Sequence, residues 1–102
     1  MLCALTVRKL KPGTFDEFRS KFGPQEEAPP EGWTAFHMLR STSDDTEVVT
    51  FGFFDGTLEE LESNQGEHGY RDRVDEVTPL VESVLVNGVY EFEIAVQSAN
   101  AR

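Results

Sequence analysis

One eight-residue pattern occurs twice in the chain. Gly13-Thr14-Phe15-Asp16-Glu17-Phe18-Arg19-Ser20 and Gly56-Thr57-Leu58-Glu59-Glu60-Leu61-Glu62-Ser63 start 43 residues apart. In each copy a Thr is followed three residues later by Glu, the capping-box signature of a helix start. The acids of each first turn suit the positive end of a helix. Each copy also follows an apolar run of strand character, Leu2 to Val7 before the first and Val48 to Phe54 before the second. The chain therefore reads as two strand–helix units.

The remaining segments fit around these units. Phe15, Phe18 and Phe22 fall at i, i+3 and i+7, one face of a helix, and Gly23-Pro24 ends it. Residues 24–32 read as a loop by their Pro, Glu and Gly content. Trp33 to Ser41 reads as a strand, Ser41 to Thr46 as a turn, and Val48 to Phe54 as the returning strand of a hairpin. Leu58 and Leu61 begin a second helical region. Asn64-Gln65-Gly66 is expected to interrupt it, and Tyr70, Val74 and Val77 continue its apolar stripe, with Pro79 near its end. Val84 to Val96 reads as a last strand, in which Asn87-Gly88 is either a tight turn or a bulge. The order β-α-β-β-α-β is the ferredoxin-like arrangement, an α+β fold with a four-stranded antiparallel sheet. Residues 1–102 form one domain of that kind.

Several strands are apolar on both faces. In the second, Trp33, Ala35, His37 and Leu39 are expected to point one way, and Phe36, Met38 and Arg40 the other. In the third, Val49, Phe51 and Phe53 oppose Val48 and Phe54. The last strand is less so, since Tyr90, Phe92, Ile94 and Val96 oppose Glu91 and Glu93. An antiparallel sheet with one wet face alternates apolar and polar residues. Two helices cover one face only, so the other calls for a cover, and the sheet of a second copy is the economical one. A homodimer packed sheet on sheet is the expectation.

Charge narrows the partners. The chain has 19 acidic residues against 9 basic, a formal net charge of −10. Nucleic acid and anionic membrane surfaces are therefore not expected partners. No apolar run approaches the ~20 residues that span a bilayer. The N-terminus lacks a basic region ahead of its apolar stretch, so a cytoplasmic location is expected. Residues 1–21 depart from the acidic trend, with five basic residues against two acidic. They form a basic corner that is either solvated or meets an acidic surface.

Few residues carry obvious chemistry. Cys3, His37 and His68 lack the paired spacing of a metal site, and no glycine-rich phosphate loop is present, so neither metal nor cofactor is expected. Cys3 reads as a small core hydrophobe. His37, in mid-strand, is either a core or interface histidine or a proton donor and acceptor lining a pocket. His68, in Gly66-Glu67-His68-Gly69-Tyr70, lies at the surface or at a pocket mouth. Trp33 is the only tryptophan, a core residue or an aromatic wall. Tyr70 and Tyr90 carry hydroxyls on apolar faces. Arg40 marks an ion pair across a dimer or an anionic ligand. Asn64 is a helix-break residue or a polar handle.

The order of elements, the length and the two-faced sheet resemble the dimeric α/β-barrel superfamily, and within it the antibiotic-biosynthesis-monooxygenase type of domain. Gly32-Trp33-Thr34-Ala35-Phe36-His37-Met38-Leu39-Arg40-Ser41, followed by Asp44-Asp45, is similar to that family's central hairpin. Gly66 to Tyr70 and Pro79-Leu80 are similar to its histidine-bearing helix start and Pro-Leu helix end. The resemblance implies oxygenation of an aromatic or polyketide-like substrate without metal or organic cofactor, the substrate's own enolate or phenolate reacting with O2. It places the pocket between sheet and helices, near His68, Tyr70 and Asn64. Catalytic candidates are then His68, His37 and Tyr70, and substrate-binding candidates are Trp33, Asn64, Arg40, Tyr90 and Phe54. Phe54-Asp55 stands where the family often has Trp followed by an acid. A histidine common in the middle of the second helical region is replaced by Asn64 or Gln65. Haem-degrading relatives use an asparagine in the first strand and a Trp on the second helix, and this chain has neither. A non-catalytic ligand-binding or structural dimer, and an isomerase or cyclase using a pocket histidine, remain alternatives.

Overall fold

A computed structural model describes residues 1–22, 31–67 and 70–96. The strands are β1 (Leu2–Leu10), β2 (Trp33–Arg40), β3 (Glu47–Phe54) and β4 (Val81–Glu91). The helices are α1 (Phe15–Phe22), α2 (Leu58–Glu67) and α3 (Tyr70–Val77), and a short 3-10 turn over Thr78–Leu80 leads into β4. The sheet runs β2-β3-β1-β4 with every neighbouring pair antiparallel. The expected α+β, ferredoxin-like arrangement is present, with the second helical region split in two. Among the described residues no helix is long and apolar enough to cross a membrane.

The two repeated segments do start helices, in different ways. Thr14 and Thr57 both accept the first helical hydrogen bond on their carbonyl oxygens, from Phe18 N–H and Leu61 N–H. Only Thr57 closes the reciprocal box. Its N–H donates to Glu60 Oε1 at 2.8 Å, and Glu60 N–H donates to Thr57 Oγ1 at 3.1 Å. The Thr14 hydroxyl donates instead to the carbonyls of Lys11 and Leu80, tying the start of α1 to the turn before β4. Glu17 is drawn to Lys21, 3.0 Å away on the next turn.

Leu10, Phe18, Val48, Val77 and Leu80 form the core, with Phe15, Phe22, Met38 and Val81 packed on it. These residues lie toward one end of the sheet, under α1 and α3. Phe54 and Leu61 are buried outside that cluster.

Four local expectations are corrected. The Asn64-Gln65-Gly66 triplet does not interrupt the helix, which continues to Glu67. Asn87-Gly88 is neither turn nor bulge, because Asn87 and Gly88 pair in register with Thr6 and Leu5. The irregularities of β4 fall instead between Val86 and Val84 and between Ser83 and Val81. That strand also starts earlier and ends sooner than expected, so Ile94 and Val96 lie beyond it and are exposed. Finally, a register shift between Trp33 and Ala35 turns Trp33 away from His37 and Leu39. One extra residue in a strand moves what precedes it to the opposite face.

The basic corner is dispersed. Lys9 pairs with Asp44 at 3.6 Å and Lys21 with Glu17. The Thr46 hydroxyl and N–H, aided by Lys9, hold the Asp44 carboxyl below the usual carboxylate range. Arg8 leaves the surface altogether and is 4% exposed.

Candidate functional site

The strand registers place side chains in rows on the face that carries the helices. Phe36, Gly52, Ala4 and Val89 make one row. Met38, Thr50, Thr6 and Asn87 make the next, and Arg40, Val48, Arg8 and Val84 the one after. The last of these rows leads into the apolar core. The middle rows are floored by small or polar groups, which leaves the sheet low there.

Trp33 and Phe36 stand at the far end of this floor. Their rings stack with centroids 5.0 Å apart, and Phe54 meets Trp33 edge-on at 5.1 Å. Gly52 makes room for them: a Cβ there would lie 2.8 Å from Trp33 Cζ3 and 2.9 Å from Phe36 Cδ1. Gly32, just before β2, has φ +94, a left-handed conformation that glycine adopts without strain. The Phe54 ring occupies the space its side chain would need.

Asn64 holds this aromatic group to α2. The Trp33 indole N–H donates to Asn64 Oδ1 at 2.7 Å, and Asn64 Nδ2 donates to the Glu31 carbonyl at 3.1 Å. Both ends of the amide are therefore engaged by the segment that opens β2. Trp33, Asn64 and Phe54 form one group.

At the other end of the floor lies Arg8, which the sequence groups with the basic corner. Its Nη1 donates to Thr50 Oγ1 at 2.9 Å, and its guanidinium lies 4.7 Å from the Phe22 ring centroid and 5.7 Å from that of Phe18. A guanidinium is always charged and packs flat on aromatic faces, which lets it remain beneath α1. Thr6, also buried, donates its hydroxyl to Asn87 Oδ1 at 3.2 Å beside it. A signal for Arg8 was available, since strict alternation along Ala4, Thr6, Arg8 and Leu10 puts it on the inner face of β1.

The other candidates lie apart. His37 is on the opposite face of the sheet, stacked on Phe51 at 5.0 Å and tilted against Phe53 at 5.7 Å. Tyr90 is on that outer face too, opposite Cys3, and is half-exposed. Arg40 is on the helix side, its guanidinium 4.2 Å from the Phe15 ring centroid at the edge of the core. Tyr70 is the first residue of α3. His68 lies outside the described residues. Among the described residues no group of three His, Cys, Asp or Glu side chains could hold a metal ion.

No protein-family sequence model matches the chain, and no curated protein matches it. Solved structures do, over nearly their whole length. A structure from Chloroflexus aurantiacus J-10-fl, named as an antibiotic biosynthesis monooxygenase, superposes with a TM-score of 0.75 at 11% identity, covering 95% of this chain and 96% of its own. One of the same name from Nitrosomonas europaea gives 0.75 at 16% identity, covering 92% and 100%. SnoaB from Streptomyces nogalater, a cofactor-independent oxygenase solved as a point variant, gives 0.68 at 12%, covering 95% and 97%. The fold of this chain is the one those monooxygenase domains share.

Proposed function

We propose that the chain works as a homodimer that binds a small aromatic or polyketide-like molecule on the helix side of the sheet. There it oxygenates the molecule with O2, using neither metal nor organic cofactor. The observation that carries this reading is the full-length likeness in fold to structures named as monooxygenases, a cofactor-independent oxygenase among them. The lining agrees with it: an aromatic group of Trp33, Phe36 and Phe54 at one end of a low floor, and polar side chains at the other.

In this reading the substrate supplies the electrons. Loss of a proton gives an enolate or phenolate. Its carbon adds O2 to form a hydroperoxide, and loss of water leaves a carbonyl, so one oxygen atom stays and the other departs as water. The protein's part is to exclude bulk water, hold the flat ring against Trp33 and Phe36, and hold the anion. His68 is the proposed proton carrier, with Tyr70 and Asn64 as further proposed polar groups of the site.

The outer face supports the dimer. Cys3, Leu5, Val7, Val49, Phe51 and Phe53 run down its centre, with Ala35, His37 and Leu39 on one flank and Val86, Tyr90 and Phe92 on the other. No helix lies on this side among the described residues. Such a contiguous apolar surface is what a second sheet covers.

Oxygen uptake with a panel of hydroxylated polycyclic aromatics tests the activity. Uptake that falls at least tenfold in His68→Ala is the expected result. Binding without uptake would instead support a non-catalytic binder, a reading that has the Asn64 clasp in its favour, since both ends of that amide are already engaged. Proton exchange into substrate without uptake would indicate an isomerase or cyclase. A sedimentation mass of one chain at micromolar concentration would remove the dimer.

A further inference from the structure

We propose that the open edge of β4 is a second self-association surface. Two copies pair there antiparallel and continue the sheet across a two-fold axis at Val89. The proposal depends neither on what covers the outer face nor on any activity. The sheet order leaves β2 and β4 at its edges. An edge strand offers its N–H and C=O groups to another chain unless a basic residue, a proline or a bulge blunts it. β2 is blunted by its irregular register between Trp33 and Ala35 and by Arg40. β4 has no Lys, Arg or Pro in its 11 residues, and its irregularities are confined to its first half. Over residues 86–91 its pairing with β1 is regular. Val86, Val89, Tyr90 and Phe92 are exposed there.

Alternation along the strand decides which backbone groups face outward. Phe92 N–H donates to the Met1 carbonyl, so Phe92 faces β1. With the register unbroken back to Val86, Tyr90, Gly88 and Val86 face β1 as well. Asn87, Val89 and Glu91 then turn their N–H and C=O groups away from the sheet. Among the described residues no strand lies beyond them. An axis at Val89 sets Val89 opposite its own equivalent and Asn87 opposite Glu91 of the second copy. Each such pair exchanges two backbone hydrogen bonds, about six in all. The side chains agree with this register. Asn87 Oδ1 accepts from Thr6, which leaves Nδ2 to donate to the Glu91 carboxylate opposite. Val86 and Phe92 fall opposite each other as an apolar pair. No two acids meet, because Glu82 lies beyond the paired residues. That self-complementarity identifies the occupant as a second copy and not an unrelated extended segment. The axis passes through the sheet, so the outer face stays available to another sheet.

Amide hydrogen exchange, followed by NMR on the full chain, tests the edge residue by residue. In wild type the amides of Asn87, Val89 and Glu91 are expected to be protected, although nothing within the chain's own sheet pairs them. Val89→Lys sets two cations together on the axis. It is expected to speed exchange at these three amides at least tenfold. The amides of Gly88 and Tyr90, which face β1, are expected to stay protected and so report that the variant is folded. Phe51→Asp acts on the outer face and is expected to leave the three amides protected. Exchange of Asn87, Val89 and Glu91 in wild type at the rates of an unstructured chain overturns the proposal. That measurement needs no variant, so it stands even if Val89→Lys does not fold. Equal protection in folded Val89→Lys also overturns it. Loss of protection in Phe51→Asp overturns the edge as a surface separate from the face. Protected edge amides in a Phe51→Asp chain that no longer packs face to face would support the edge whatever becomes of the face dimer or of oxygen uptake.

Discussion

The two faces of this sheet are built from the same strands, yet they do different work. The inner face is closed at one end by Phe18, Leu10, Val48, Val77 and Leu80, all buried within the chain. The outer face carries Phe51, Phe53 and His37 in mutual ring contact, with Leu39 52% and Tyr90 49% exposed on its flanks. One face is finished by local folding, because α1 and the 3-10 turn are tethered onto it through Thr14. In the proposed dimer the other is covered by a second copy of the chain. Apolar area then counts on both faces, one share realised on folding and the other on association.

Substitutions of phenylalanine separate these two shares. Phe18→Ala removes a fully buried ring and is expected to cost about 3–5 kcal/mol of folding stability, read by denaturant unfolding. Phe51→Asp places a charge at the centre of the outer face and is expected to weaken self-association by on the order of a hundredfold, read by sedimentation across a dilution series, with the fold of the single chain retained. If Phe51→Asp leaves association unchanged, the outer face is not the dimer surface and the contrast fails.

The contrast was partly legible in the sequence. The doubly apolar strands are visible to a reader counting alternate residues, and the repeated Gly-Thr segments locate both helix starts. Alternation fails at Trp33, because the register shift before Ala35 leaves no mark in composition. It moves the tryptophan from the face of His37 to that of Asn64. Arg8 was obscured differently. Its neighbours Lys9 and Lys11 suggest a charged surface, whereas the alternation through Thr6 and Leu10 puts it inside. The pattern of local charge and the pattern of faces disagreed, and burial followed the faces. At Asn64 and Gly66, residues of poor helix propensity are carried through, with Asn64 held by Trp33 and Glu31.

Cys3 offers a reporter of the outer face. It sits between Phe53 and Tyr90 on the neighbouring strands, and burial pushes its thiol above the ordinary range. A raised thiol pKa leaves less reactive thiolate at a given pH, so alkylation by iodoacetamide at pH 8 should be slower than for free cysteine and should climb toward higher pH. Covering the face should slow it further. The rate is expected to be about tenfold lower in concentrated wild type than in Phe51→Asp at the same pH. Equal rates would mean that the face is open in both.

The smallest effect tests how far the inner face depends on its helices. Thr57 and Thr14 occupy the same place in the repeat, but only Thr57 exchanges hydrogen bonds with its Glu. The Thr57 N–H, together with its side chain, holds the Glu60 carboxyl below the usual carboxylate range. A depressed carboxyl pKa stabilises the fold above the pH at which the unfolded chain's carboxyl titrates. That stabilisation is lost as pH falls through the folded value. Thr57→Ala should cost about 1 kcal/mol at neutral pH and should flatten the acid limb of the stability curve below about pH 5. Thr14→Ala should leave that limb unchanged, because its hydroxyl serves two carbonyls and no carboxylate. Because α2 also carries Asn64, loosening its start should blue-shift or broaden the emission of Trp33 if the clasp gives way with it. An unaltered spectrum would show that the aromatic end of the inner face is held by the sheet and not by the helix.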